Sequence, residues 1–139
     1  MDSRLSRTTL RVRGYHLDGY GHVNNARYLE FLEEGRWAYF DERPRLASFL
    51  ARGDLAFVAV NLNIDYRRAA VAGDDLEVLT RLSEIGSRRA RIHQEIRRVV
   101  DGKAVASADI TFVLLDVATG RAVTIDGEIR EAMAPLVLA

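Results

Sequence analysis

The amino-acid sequence predicts an α+β protein in which a curved antiparallel sheet of about five strands wraps around one long helix. The hydrophobic pattern changes along the chain in the order strand, long helix, then four strands. Short turns separate the last three strands, which favours antiparallel pairing between neighbours. A single long apolar helix needs a sheet to bury it, and we therefore expect the sheet to curl around the helix.

The first two elements are predicted from different periodicities. In residues 8–14, Leu10 and Val12 alternate with arginines, which is typical of a half-buried strand. In residues 25–40, apolar side chains recur every three or four positions with glutamates between them, which predicts a long helix. Aromatic residues widen the apolar face of this helix, so we expect it to be covered on several sides.

Four more strands are predicted after a short helical piece at residues 46–52. The clearest is FVAVNLNIDYR, residues 57–67, in which five apolar side chains are expected on one face: Val58, Val60, Leu62, Ile64 and Tyr66. Residues 76–85, 89–100 and 104–117 are also predicted to be extended, and the last two should form a hairpin. The segment EIREAM, residues 128–133, predicts a closing helix.

Composition narrows the classes of protein to consider. A chain of 139 residues fits one domain, 1–139, and 20 basic against 20 acidic side chains give no net charge. The balance argues against a nucleic-acid or membrane-surface partner. There is no cysteine, the amino-terminal residues lack the apolar core of a signal peptide, and no apolar run could span a membrane. We therefore expect a cytoplasmic protein.

The segment YHLDGYGHVNNARYLEF, residues 15–31, concentrates polar chemistry before the predicted helix. A helix amino terminus has unpaired N–H groups and a partial positive charge, which suit an oxygen that becomes anionic. Gly19 and Gly21 allow a tight turn, and Asp18 is a candidate nucleophile or general base. A structural role is the alternative, because Asp often closes an Asx-turn and Asn often caps a helix.

The segment RGYHLDGYGHVNNARYLEFLEEGRW resembles the signature of hotdog-fold acyl-CoA thioesterases. The resemblance is to the bacterial long-chain type related to 4-hydroxybenzoyl-CoA thioesterase. It continues through FVAVNLNIDYRRAAVAGDDLEV, DGKAVASADITFVLLDVATGRAV and GEIREAM, and so covers nearly the whole chain. It implies a hotdog fold, an acyl-CoA substrate and hydrolysis to a free acid and coenzyme A.

The resemblance also implies two catalytic groups. Asp18 matches the position of the catalytic carboxylate, and the backbone N–H at about Asn25 would polarise the thioester carbonyl. Many relatives carry a second acid two positions before the catalytic one, where this chain has His16. Another branch of hotdog thioesterases has its carboxylate inside the helix, so Glu33 and Glu34 remain rival candidates, although their spacing is typical of a solvated face.

Four more residues near the helix start are candidates for binding the substrate. Gly21 allows close approach of the backbone, and His22 could organise the loop or transfer protons. Asn24 could cap the helix or hold the substrate carbonyl. Tyr28 lies one helical turn beyond Asn25 and could line the acyl site, although an aromatic residue at this spacing is more often part of the core.

Coenzyme A carries several phosphate charges, which a thioesterase must bind at the mouth of its cleft. The candidates are two arginine pairs, of which Arg67 and Arg68 follow the asparagine-bearing strand and Arg88 and Arg89 occupy a predicted turn. Arginine side chains present a planar fork of donors that matches phosphate oxygens. Solvated surface is the alternative interpretation of both pairs.

Further expectations concern cofactors, assembly and rival functions. Without cysteine, the three histidines make no convincing metal site, and no cofactor is expected because coenzyme A belongs to the substrate. The resemblance implies a homodimer or homotetramer that pairs sheet edges. The alternatives are a hotdog hydratase or dehydratase with an Asp/His pair, or a non-catalytic acyl-CoA binding module.

Overall fold

The computed structural model describes residues 2–139. In this range the chain forms six β-strands and three α-helices, with two short 3₁₀ turns. In chain order the strands and helices are β1 (Ser6–Arg11), α1 (Asn25–Asp41), α2 (Pro44–Ala51), β2 (Leu55–Tyr66), β3 (Asp75–Ile85), β4 (Arg89–Arg98), β5 (Ala104–Asp116), β6 (Arg121–Ala122) and α3 (Gly127–Met133). The predicted α+β class is confirmed.

All the named strands pair in antiparallel fashion in one sheet. The order is β1-β3-β4-β5-β2, and the two-residue β6 pairs with β5. The predicted hairpin is therefore β4–β5, and β3, β4 and β5 form a meander because short turns join them. The first strand begins and ends earlier than predicted, since the chain turns into a 3₁₀ segment at Gly14–His16.

The strict alternation predicted for β2 is wrong at its centre. Ala59 lies opposite Phe112 of β5 and Asn61 lies opposite Thr111, so Val60 is an extra residue in a β-bulge. Side chains alternate between the two faces with a period of two, so one extra residue reverses the alternation on one side of the bulge relative to the other. Phe57 therefore shares the inner face with Leu62, Ile64 and Tyr66, whereas Val58 lies on the outer face.

Helix α1 packs against β1 and β3 through one face, and this face is buried: Tyr28, Phe31, Leu32, Gly35 and Tyr39. The approach is closest at Gly35, where a Cβ would lie 2.6 Å from Val78 Cγ1 and 3.0 Å from both Thr80 Oγ1 and Gln94 Nε2. Only glycine fits this position without displacement of a neighbour. The middle of α1 therefore rests directly on the sheet.

A second stripe of α1 faces away from β1, towards β2. Its members follow three- and four-residue spacing: Ala26, Leu29, Glu33, Trp37 and Phe40. Leu29 is 39% exposed and Trp37 is 61% exposed, so a single chain leaves this stripe partly uncovered. The predicted coverage of α1 on several sides is thus incomplete within one chain.

The two short helices, α2 and α3, pack together at one end of the domain. Helix α2 packs against β2 and α3, near the carboxyl end of α1. Leu46, Phe49, Ile129 and Met133 are buried and extend the core beneath these helices. Among residues 2–139, no helix is both long and apolar enough to cross a membrane.

We predict that Gly35→Leu lowers the free energy of unfolding by about 1–3 kcal/mol, because an added side chain must push α1 off the sheet. Urea denaturation followed by circular dichroism measures this change. Glu34→Leu, on the exposed face of the same helix, is the matched control and should change stability by about 0.5 kcal/mol or less. Equal effects of the two substitutions would contradict the close approach at Gly35.

Candidate active site

The segment between β1 and α1 folds into a tight hairpin that carries Asp18. Leu17 and Val23 form an isolated antiparallel bridge, and the Asp18 N–H donates to the His22 carbonyl at 2.8 Å. Gly21 has φ of +79°, a left-handed conformation that glycine adopts without strain. The hairpin projects His22 into solvent, and its side chain has no hydrogen bond among residues 2–139.

The two oxygens of the Asp18 carboxylate differ in their hydrogen bonds. Its Oδ1 accepts hydrogen bonds from the backbone N–H groups of Tyr20 at 2.8 Å and His22 at 3.2 Å, which is the Asx-turn arrangement. Its Oδ2 has no hydrogen-bond partner in the described part of the chain. One oxygen therefore fixes the carboxylate in the loop, while the other is available to a substrate or a water molecule.

The amino terminus of α1 lies beside this hairpin. Asn24 is the helix cap, and its Oδ1 accepts from the Ala26 N–H at 2.9 Å. Within residues 2–139 the Asn25 N–H has no acceptor, as expected for the first residue of a helix. The Asn25 carbonyl accepts from the Tyr66 hydroxyl at 3.2 Å. Asn25 thus presents an unpaired donor at the positive end of the helix dipole.

His16 joins the hairpin to the helix. Its Nδ1 accepts from the Arg13 N–H at 2.8 Å, and its carbonyl accepts from the Asn24 N–H at 2.9 Å. The buried ring packs edge-on against Phe31, with centroids 5.0 Å apart. Burial, assisted by the charge of Arg27, lowers the pKa of His16 below its ordinary value. His16 is therefore a neutral structural residue, and it makes no hydrogen bond to Asp18.

The hydrogen bond between His16 and Asn24 also determines where Asp18 and Asn25 lie. The His16–Asn24 hydrogen bond draws together the two ends of the hairpin. Asp18 follows His16 by two residues, and Asn25 follows Asn24 directly. The Asp18 carboxylate and the unpaired Asn25 N–H thus belong to one hydrogen-bonded segment, which we call the Asp18 corner.

Tyr28 is part of the core. It is 3% exposed, and its hydroxyl accepts a hydrogen bond from the Ala70 N–H at 3.1 Å. Burial raises the pKa of Tyr28. Its ring also contacts Phe31 and Tyr66, with centroids 6.1 and 5.5 Å apart. This packing favours the structural interpretation over a direct contact of Tyr28 with a ligand.

The two arginine pairs lie at opposite ends of the sheet. Arg67 and Arg68 follow β2 at the end near Asn25, where both N–H groups donate to the Val105 carbonyl. Arg88 and Arg89 lie beyond the other end of β3, which at about 3.3 Å per residue is roughly 30 Å away. Within one chain, therefore, Arg88 and Arg89 are not brought together with Asp18.

A groove lies between α1 and β2, and helix α2 lines it as well. The sequence predicts an apolar channel between the helix and the sheet. The Tyr66–Asn25 hydrogen bond joins α1 and β2 at one end, and the stacked rings of Phe40 and Phe57 join them at the other. The groove has a volume of about 570 Å³ and is lined largely by apolar side chains, with Glu33 among the exceptions. The alternation of apolar and polar residues in the sequence of β2 did not indicate the β-bulge that turns Phe57 inward.

The helix glutamates lie away from the Asp18 corner. Glu33 and Glu34 are both exposed, and Glu33 lies about 12 Å along the helix axis from Asn25. Asp18 lies in the segment that leads into Asn25, and neither glutamate belongs to this segment. Among residues 2–139, no cluster of three or more acidic or histidine side chains could hold a metal ion.

We predict that acid destabilises the protein partly through His16. Because its pKa is lower in the folded than in the unfolded chain, stability is full above about pH 6.5 and declines as the pH falls towards the lower, folded pKa. Thermal unfolding between pH 8 and pH 5 measures this decline. His16→Asn keeps an acceptor for the Arg13 N–H and should flatten the profile.

His22→Asn is the matched control, since the His22 side chain is exposed. This variant should keep the wild-type pH profile. A steep profile that survives His16→Asn would assign the acid sensitivity to other groups.

Comparison with known proteins agrees with this geometry. The family model for the thioesterase-like superfamily matches residues 12–133. The chain is 44% identical to the long-chain acyl-CoA thioesterase FadM of Escherichia coli over 130 residues, which cover 94% of this chain and 98% of that protein.

Solved structures are similar in the same way. The probable thioesterase YbaW of Escherichia coli is 42% identical, with a TM-score of 0.83 over 96% of this chain and 99% of that one. A thioesterase of Thermus thermophilus, complexed with coenzyme A and Zn, is 30% identical, with a TM-score of 0.79 over 94% and 92% of the two chains. The resemblance stated from the sequence is confirmed, and this chain belongs to the thioesterase-like superfamily of hotdog proteins.

Proposed function

We propose that this protein is an acyl-CoA thioesterase that hydrolyses medium- to long-chain acyl-CoA to a free acid and coenzyme A. One observation carries the proposal: Asp18 keeps one carboxylate oxygen unengaged at the corner where the Asn25 N–H has no acceptor. A base or nucleophile beside an oxyanion-binding donor is the arrangement that acyl transfer requires. The similarity to FadM supports a long acyl chain.

In this mechanism the thioester carbonyl oxygen accepts a hydrogen bond from the Asn25 N–H at the positive end of α1. Asp18 then acts in one of two ways. It attacks the carbonyl carbon, the coenzyme A thiolate leaves, and water cleaves the mixed anhydride. Alternatively, it takes a proton from a water that attacks the carbonyl, and the tetrahedral intermediate expels the thiolate, which is then protonated.

The α1–β2 groove is the proposed channel for the acyl chain. Its lining includes Trp37 and Phe40 of α1 and Phe57 of β2. We propose that the acyl chain reaches it from the helix start at Asn25. An apolar channel suits a hydrocarbon chain because burial of each methylene is favourable. The polar groups stay at its mouth, where the thioester reacts.

Edge strand β2 supports the proposed homo-oligomer. It has no partner on its outer edge within the described chain, and Val58 and Val60 are 38% and 49% exposed. An exposed apolar edge strand favours pairing with a second copy. Antiparallel β2–β2 pairing around a two-fold axis places the Leu55 end of one copy beside the Tyr66 end of the other.

The same pairing gives each arginine pair a role in the proposal. Arg67 and Arg68 follow β2 at the end near Asn25 and are candidates for the phosphates of coenzyme A. Arg88 and Arg89 belong to the Leu55 end of the sheet. They could therefore approach the substrate only from a second copy.

The hydratase or dehydratase alternative finds no support in the Asp18 corner. That chemistry needs a histidine paired with the aspartate, yet His16 is buried with its Nδ1 engaged by the Arg13 N–H. His22 contacts Asp18 only through its backbone. The proposal keeps the expectations of a cytoplasmic location and of no cofactor, with coenzyme A as part of the substrate.

We predict that Asp18→Asn loses at least roughly a hundredfold in kcat on acyl-CoA, because the basic or nucleophilic oxygen is removed. The fold should survive, since the asparagine Oδ1 can accept the same two hydrogen bonds from Tyr20 and His22. Steady-state hydrolysis and a thermal melt measure the two effects. Binding of acyl-CoA to the variant should persist in calorimetry.

Glu33→Gln and Glu34→Gln are matched controls, each the same loss of charge on a carboxylate, and both should stay active. A fully active Asp18→Asn enzyme would falsify the assignment of Asp18. An inactive but folded Glu33→Gln enzyme would transfer the catalytic role to the helix. A wild-type protein that binds acyl-CoA without hydrolysis would identify a binding module instead.

We predict a dimer or tetramer in light scattering at micromolar concentration. Val60→Asp, which places a charge on the exposed bulge of the edge strand, should lower the mass and the activity together. Thr9→Asp, on the exposed side of β1 at the other edge of the sheet, is the control and should leave the mass unchanged. A fully active wild-type monomer would contradict the proposed assembly.

A further inference from the structure

Arg36 brings a positive charge into the largely apolar lining of the α1–β2 groove. Its side chain is half-buried, and it lines the groove beside Trp37 and Phe57. Its Nη1 donates to Gln94 Oε1 at 3.0 Å, and its guanidinium lies over the ring of Phe112, 5.9 Å from the centroid. These two contacts hold the charge close to the sheet.

No carboxylate neutralises this charge. Among residues 2–139, Arg36 forms no ion pair, although Glu33 precedes it by three residues on the same helix. The two carboxylates that line the groove, Glu33 and Asp41, are both exposed. Burial lowers the pKa of Arg36, and the charge of Glu33 opposes this shift. A guanidinium nevertheless stays charged in a protein, so Arg36 keeps donors to offer to an anion.

The rest of the groove suits a hydrocarbon chain. Its volume of about 570 Å³ is that of a small-molecule site. Helix α2 and strand β2 contribute small and aliphatic side chains to its walls: Ala47, Leu50, Ala51, Leu55 and Ala56. A hydrocarbon gains free energy from burial against such walls, whereas a carboxylate gains paired hydrogen bonds from a guanidinium. A ligand with both parts therefore matches the groove better than a hydrocarbon alone.

We propose that the groove binds a free fatty acid, with its carboxylate on Arg36 and its hydrocarbon chain along the apolar walls. The charge favours this ligand over a wholly apolar one, because an apolar ligand would remove water from the guanidinium without supplying an anion. The inference goes beyond the proposed function, since binding at Arg36 requires no hydrolysis. A free acid is also the product of the proposed reaction, so the acid and acyl-CoA would compete for the groove.

The experiment compares binding of decanoate with binding of decanamide, which has the same length and nearly the same shape but no charge. Trp37 is the one tryptophan of the chain and lines the groove, so its fluorescence reports binding without turnover. The wild type should bind decanoate about tenfold more tightly than decanamide, as expected for a charge-assisted hydrogen bond. Light scattering of the same samples measures the oligomeric state.

Arg36→Gln removes the charge and keeps an N–H donor for Gln94 Oε1. This variant should bind the two ligands with nearly equal affinity. Arg52→Gln is the matched control, because Arg52 also lies over a phenylalanine ring, 4.6 Å from the centroid of Phe49, but is exposed and does not line the groove. Its preference for decanoate should equal that of the wild type. Thermal melts verify that each variant is folded.

Glu33→Gln gives an independent test if Arg36→Gln does not fold. Glu33 is exposed, and its charge acts on Arg36. Removal of this negative charge should tighten the binding of decanoate and leave the binding of decanamide unchanged. Equal affinities of decanoate for the wild type and for Glu33→Gln would contradict a carboxylate at Arg36.

The other contrary outcomes are distinct. Equal affinity of the wild type for decanoate and decanamide, or an unchanged preference in folded Arg36→Gln, would overturn the role of Arg36. An equal loss of preference in Arg52→Gln would assign the preference to the overall charge of the protein. No fluorescence change with either ligand, from a protein that is oligomeric in light scattering, would leave the groove to a second copy of the chain.

The binding tests and the proposed function can fail separately. A protein that hydrolyses acyl-CoA without a preference for decanoate keeps the proposed function and loses the fatty-acid site. A protein that passes the binding tests without hydrolysis keeps the fatty-acid site alone.

Discussion

The contact between α1 and the sheet at Gly35 is the constraint on which the rest of the structure depends. The buried amide of Gln94 donates to the Leu32 carbonyl at 2.8 Å and to Thr80 Oγ1 at 2.9 Å, and it accepts from Arg36 at 3.0 Å. Every polar atom of this side chain is thus engaged, which is the condition for a polar group to lie in a core without a large energetic penalty. These hydrogen bonds fix the position of α1 on the sheet and its rotation about its own axis. This rotation decides which side chains face the core and which face the groove.

A helix fixed at its middle needs a second attachment to orient its amino terminus. Aromatic contacts supply it, because the ring of Phe31 touches both His16 in the loop and Tyr28 on the next turn, and Tyr28 touches Tyr66 of β2. Edge-to-face pairs of this kind have definite geometry and add to the energy of burial. These aromatic contacts therefore connect the loop, the helix start and the edge strand. The candidate site is built at their junction.

The sequence predicted those features that repeat along the chain and missed those that depend on a single residue. Alternation and helical periodicity identify the long helix and the order of the strands, since a half-buried element must place its apolar side chains regularly. Local polar density singled out Asp18, and the family resemblance singled out Asn25. The bulge at Val60 was missed because one added residue leaves the composition of the strand unchanged. The burial of His16 was missed because it depends on Phe31, fifteen positions away, and the distance of Arg88 from Asp18 depends on how the strands pair.

The bulge at Val60 lies in the strand with the unpaired edge. A regular edge offers many equivalent registers to a neighbouring molecule, and chains that pair in several registers can extend into fibres. An irregularity at the centre of the edge removes this equivalence, because only the arrangement that matches one bulge to the other aligns the remaining donors and acceptors. In the proposed β2–β2 dimer, the same residue that interrupts the alternation of β2 would favour a closed pair over an open filament. In such a dimer, the β-bulge would make the pairing specific without a large complementary surface.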